Sequence, residues 1–71
     1  MTFSMEDVEV LQETYKGEKD EGAILVTSDD LGSEEVWVAK NQIDDESDVY
    51  EMGTEGKLVI TEWLAGKLGW L

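Results

Sequence analysis

The spacing of apolar residues changes period along this chain, and each change marks an element. Between Met5 and Tyr15 apolar side chains alternate with polar ones around Val8, Val10 and Thr14, which is the period of a half-buried strand. Met5, Val8, Leu11, Gln12 and Tyr15 fit one face of a helix instead, so two readings stand for this segment. The polar stretch from Lys16 to Gly22, bracketed by Gly17 and Gly22, reads as a turn or loop. Ala23-Ile24-Leu25-Val26-Thr27-Ser28 is a continuous apolar, β-branched run that predicts a central strand buried on both faces.

Asp29-Asp30-Leu31-Gly32-Ser33 is turn chemistry, with a glycine available for positive φ. Glu34 to Lys40 then alternates, with Val36 and Val38 on one face and Trp37 on the other, so the two runs predict a hairpin. Asn41 to Gly56 is mostly polar, with Ile43, Val49, Tyr50 and Met52 as anchors, and Lys57 to Thr61 reads as a further strand. Beyond Thr61 the period becomes helical: Trp63, Leu64, Lys67, Leu68 and Leu71 form a stripe. Thr61 is placed to cap that helix at its start and Gly69 at its end, with Trp70 folding back onto it. Gly66 inside so short a helix costs about 1 kcal/mol, so packing must hold the helix in place. The expected fold is α+β: a small curled antiparallel sheet or open small barrel of about three or four strands, closed by one short C-terminal helix.

Composition narrows what such a domain does. The chain has 71 residues, 18 Asp and Glu against 5 Lys and Arg, no His and no Cys, and a formal charge of −13. The length fits a single small domain spanning residues 1–71. Its folded surface should be about 4,400 Å² against about 11,600 Å² unfolded, which leaves a thin core. Disulfides, zinc sites of the usual type, a thiol nucleophile and an imidazole base are excluded. No apolar run is long enough to span a bilayer, and the acidic first ten residues do not read as a signal peptide, so a soluble cytoplasmic protein is expected. Arg is absent and the Lys residues (16, 19, 40, 57, 67) are scattered. Direct binding of nucleic acid or of an anionic membrane is therefore opposed by the net field, whereas basic protein surfaces attract.

The acids are densest between Asp44 and Glu55. Asp44, Glu46, Asp48 and Glu55 match positions 1, 3, 5 and 12 of a calcium-binding loop. Val49 stands where that loop needs glycine, and the flanks read as strands, so the match is read as chance and no metal or other cofactor is expected. No serine has a base to activate it and the glycines form no phosphate loop, so an enzyme is not expected. Trp63 and Trp70 are assigned to the core; Trp37 is assigned there first, with an exposed interface anchor as the alternative.

The segment Glu35-Val36-Trp37-Val38-Ala39-Lys40-Asn41-Gln42-Ile43, followed by Gly56-Lys57-Leu58-Val59-Ile60-Thr61-Glu62-Trp63-Leu64-Ala65, resembles small acidic phage and prophage proteins with a Trp-x-Pro-Lys-x-Gln-Ile motif before an Ile-Pro-Glu-Trp-Leu-Ala helix start. The likeness covers roughly residues 23–71 and departs at Ala39 and Thr61, where the pattern has proline. It implies a small β-rich phage protein and transfers no active site. In size and charge alone the chain is similar to nucleic-acid mimics among anti-CRISPR and anti-restriction inhibitors. The expectation is a non-catalytic inhibitor in the host cytoplasm that docks acids onto the basic nucleic-acid-binding surface of a defence protein. The candidate contacts are Asp44, Asp45, Glu46, Asp48 and Glu51, with Asp29, Asp30, Glu34 and Glu35 as a second patch gathered by the hairpin. Charge reversal at 44, 45, 46 and 48 is expected to remove binding without lowering the melting temperature. The alternative is an interaction module in which Trp37, Lys40 and Gln42 form the contact surface and the acids only solubilise.

Overall fold

A computed structural model describes residues 1–16, 18, 21–32 and 34–71; the side chain of Asp30 lies outside the described set. The elements are β1 (Thr2–Glu13), β2 (Ala23–Ser28), β3 (Val36–Ala39), β4 (Glu55–Thr61) and α1 (Glu62–Lys67), with short 3-10 turns at Asp29–Leu31 and Lys40–Gln42. The strands form one antiparallel sheet in the order β3-β2-β1-β4, not closed into a barrel. Its exposed surface is 4463 Å².

The first segment is a strand, and a longer one than its alternation predicts. β1 is central and is shared along its length: its second half pairs with β2, its first half with β4, and the two ladders overlap at Val8 and Glu9. Two irregularities bend it. Glu6 and Asp7 stand opposite Lys57 alone, with Asp7 at φ +56°, and Leu11 is an extra residue between Val10 and Gln12. Such bulges increase local twist, which lets one strand serve two offset neighbours.

Met5, Val8, Val10, Ile24, Val26, Val38, Leu58 and Ile60 line the core face, joined by Leu64 and Ala65 from α1 and by Val49 from the long loop. β2 is buried on both sides, Leu25 covering the opposite face. Ile43 packs on the core, Val49 is fully buried and Tyr50 is half-buried, whereas the Met52 side chain, expected as an anchor, is exposed.

α1 begins and ends as its residues dictate. Thr61 Oγ1 accepts from the Leu64 N–H at 3.2 Å. Gly69, at φ +81°, donates to the Gly66 carbonyl, and Trp70 N–H to that of Ala65 at 2.9 Å, completing a glycine-terminated cap. Trp70 also meets Phe3, with ring centroids 6.0 Å apart. The apolar stripe is rotated from the expected one. Leu64, Ala65 and Leu68 face the sheet, so Trp63 is turned out, 61% exposed, with Lys67 Nζ 4.7 Å from its ring centroid. In a helix of six residues one position of rotation, about 100°, is enough to move a flanking side chain off the buried face.

Candidate functional site

The acidic segment after Ile43 forms no strand of its own. It runs along the outer edge of β4 and closes it. Ile43 bridges Ile60, Asp44 N–H donates to the Val59 carbonyl at 2.8 Å, and Asp48 N–H to that of Lys57 at 2.8 Å. The edge N–H groups are met in return: Lys57 N–H by Asp48 Oδ2 at 3.2 Å, and Val59 N–H by the buried Ser47 hydroxyl at 3.2 Å. Asp44 Oδ1 accepts from Glu46 N–H at 3.0 Å, the local turn that favours Asp at this position. Two of the predicted contact acids, Asp44 and Asp48, are thus committed to holding the edge. Asp45, Glu46 and Glu51 are exposed, and of these Asp45 is engaged with the Tyr50 hydroxyl. Reversing all of 44, 45, 46 and 48 would therefore change stability as well as charge.

The hairpin gathers the second patch. Val26 pairs with Val36, Gly32 N–H reaches the Asp29 carbonyl and Glu34 N–H that of Leu31, which sets Asp29 near the exposed Glu34 and Glu35. The predicted contribution of Asp30 lies outside the described residues. The two patches do not merge, because they belong to opposite edges of the sheet.

Between them lies a feature that the sequence reading missed. Where β2 leaves β1 and β4 joins it, a cleft of about 310 Å³ is lined by Asp7, Glu9, Thr27, Ser28, Asp29, Gly32 and Glu55. Four of these seven are carboxylates and none is basic. Glu9 stands opposite Glu55 on one side and Thr27 on the other, and like charges directly opposite on neighbouring strands oppose pairing. The sequence signals only that Glu9, between Val8 and Val10, points away from the core; its juxtaposition with Glu55 and Asp29 depends on register and on the Asp7 bulge.

The alternative contact surface of Trp37, Lys40 and Gln42 does not form. Lys40 is 2% exposed: its ammonium lies 2.5 Å from Glu13 Oε2 and donates to the carbonyls of Tyr15 and Glu18 at 3.1 and 3.0 Å. Glu13 is buried with it and its other oxygen accepts from Met52 N–H at 3.2 Å, so this acid is not part of a solvated face. Gln42 is half-buried and its Oε1 accepts from Thr61 Oγ1 at 2.6 Å. Trp37 alone remains outside, 47% exposed beside Leu25 on the face away from the core, which corrects its assignment to the core.

Among the described residues no three potential ligands converge on a metal position, and the calcium-loop spacing is spent on the β4 edge. Tyr50 donates to the Asp44 carbonyl at 2.7 Å, and desolvation together with the carboxylates of Asp45 and Asp44 raises its phenol above the ordinary value. No helix is long and apolar enough to cross a membrane among the described residues. Compared with family models, curated proteins and solved structures, the chain matches none.

Proposed function

We propose that this protein is a non-catalytic inhibitor that docks its acidic surface onto the basic nucleic-acid-binding surface of another protein. The observation that carries the reading is the cleft: carboxylates from β1, the end of β2 and the start of β4 meet there with no cation among them. A partner ammonium or guanidinium entering it would relieve the Glu9 to Glu55 repulsion that folding leaves in place, a differential gain that a merely solubilising surface would not offer. With a charge of −13 the attraction is long-ranged and fast, and the same field excludes nucleic acid and anionic membranes as partners. The phage-like resemblance makes a host defence complex, such as a CRISPR nuclease, a fitting target.

The test is capture from host lysate by the tagged protein and by a variant carrying Asp7→Asn, Glu9→Gln, Asp29→Asn and Glu55→Gln. The reading expects a nucleic-acid-binding protein that is retained by the parent, lost by the variant, and displaced by duplex DNA and by raising salt from about 0.05 to 0.5 M. Retention that ignores DNA, salt and the four substitutions would sink it and favour the exposed Trp37 and Trp63 as the contact.

A further inference from the structure

The two edges of the sheet are treated differently. The β4 edge is closed by the segment from Ile43 to Asp48, whereas nothing among the described residues pairs with the outer side of β3. Lys40 N–H donates to the Gly22 carbonyl, and register places Val38 opposite Ile24 and Val36 opposite Val26. In an antiparallel ladder, bonded and non-bonded pairs alternate. The N–H and C=O groups of Val36 and Val38 therefore face β2, and those of Trp37 and Ala39 face outward.

We infer that the β3 edge accepts an extended, basic segment of a partner protein as a fifth strand. The outward backbone groups of Trp37 and Ala39 supply its hydrogen bonds, in the manner of strand addition. Charge selects the occupant. Glu34 and Glu35 are exposed beside the edge, and the neighbouring cation, Lys40, is buried and held by Glu13. Residues two apart on a strand share a face about 6.6 Å apart, so a Lys or Arg on the incoming strand would lie over the exposed Trp37 ring with Glu35 alongside, combining cation–π and ionic attraction. A second copy of this chain would bring Glu34 and Glu35 against its own carboxylates. The inference rests on the acidic docking reading and specifies how one partner segment is held.

Ala39 offers a selective test. Its φ of −66° is already that of proline, so Ala39→Pro removes one outward N–H while leaving the ladder to β2 intact. The ¹⁵N-labelled protein is titrated at about 10 mM salt with a peptide of alternating Lys and Val, about eight residues long, and with oligolysine of the same length. The expected result is that the alternating peptide shifts the Trp37 and Ala39 amides and slows their exchange. Ala39→Pro, melting no lower than the parent, should then bind it about tenfold more weakly. Shifts confined to the cleft residues and unchanged by Ala39→Pro would overturn strand addition and leave the acidic reading standing. Failure of both peptides to bind would remove both. A peptide-free dimer abolished by Ala39→Pro would overturn the basic occupant in favour of a second copy. The shifts in the unsubstituted protein decide the matter even if the variant does not fold.

Discussion

Lys40 and Glu13 show how much a single pair changes the reading of a residue. By sequence each is one charge among many; in the fold both are buried, and all three ammonium donors are met. The pair ties the end of β1 and the turn after it to the end of β3. Truncating one partner leaves the other charge buried, so Lys40→Ala should cost about 3–5 kcal/mol in denaturant unfolding, while Lys40→Met with Glu13→Leu should recover much of that loss. Tyr50 makes a second prediction at this scale. Its folded pKa is raised by desolvation, Asp45 and Asp44, so its contribution is complete below the unfolded value of about 10 and is lost as pH rises through the folded value. The stability difference between the parent and Tyr50→Phe should be flat to about pH 9 and shrink above about pH 10. Tyr50 was expected as an anchor and is half-buried, but neither the burial of Lys40 nor the carboxylates around Tyr50 were legible beforehand, because neither follows from alternation.

At the scale of elements, β2, the hairpin and the caps of α1 were legible, and the loop from Ile43 to Thr54 was not. β2 is a run of β-branched residues with turn residues at both ends, which leaves one conformation favoured; its observed bounds are those expected. The loop carries few apolar residues and no period, so its path is set by what it covers. Ser47 is the pivot: its hydroxyl accepts from Val59 N–H and donates toward the Val49 carbonyl at 3.0 Å, with that of Lys57 at 3.3 Å. Ser47→Ala should cost about 1–3 kcal/mol by leaving the Val59 N–H without this partner, the Lys57 carbonyl keeping its bond from Asp48 N–H. Glu46→Lys and Glu51→Lys, exposed and away from the edge bonds, should change stability by no more than about 0.5 kcal/mol. Thermal unfolding of the three variants separates the residue that builds the edge from acids that do not. The helix shows the opposite failure: its existence and ends were predicted, but its rotation was not, and Trp63 moved from core to surface.

The whole molecule measures 28 × 25 × 18 Å and carries −13 charges. At about 0.01 M salt the Debye length of about 30 Å exceeds these dimensions, so every carboxylate feels the others; at about 0.15 M it falls to about 8 Å. Self-repulsion opposes the compact state, and screening relieves it. The melting temperature should therefore rise between these two salt concentrations, measured by circular dichroism without any partner. The same screening weakens a basic partner's hold, so stability and binding should move in opposite directions with salt. An apolar contact through Trp37 and Trp63 would break that opposition.

The chain alone determined its size, its strand-rich α+β class, the start and end of its helix, and the sign of its own field, because these follow from local propensity, apolar content and summed charge. Only the tertiary structure decided which acids stand together. Asp7 and Glu9 on β1 line one cleft with Asp29 and Glu55, both distant in sequence, because β1 bends at two bulges to pair with β2 and β4, while Asp44 and Asp48 are taken into closing an edge. Register and burial are long-range quantities, set by which strands find each other, and no local pattern of carboxylates contains them.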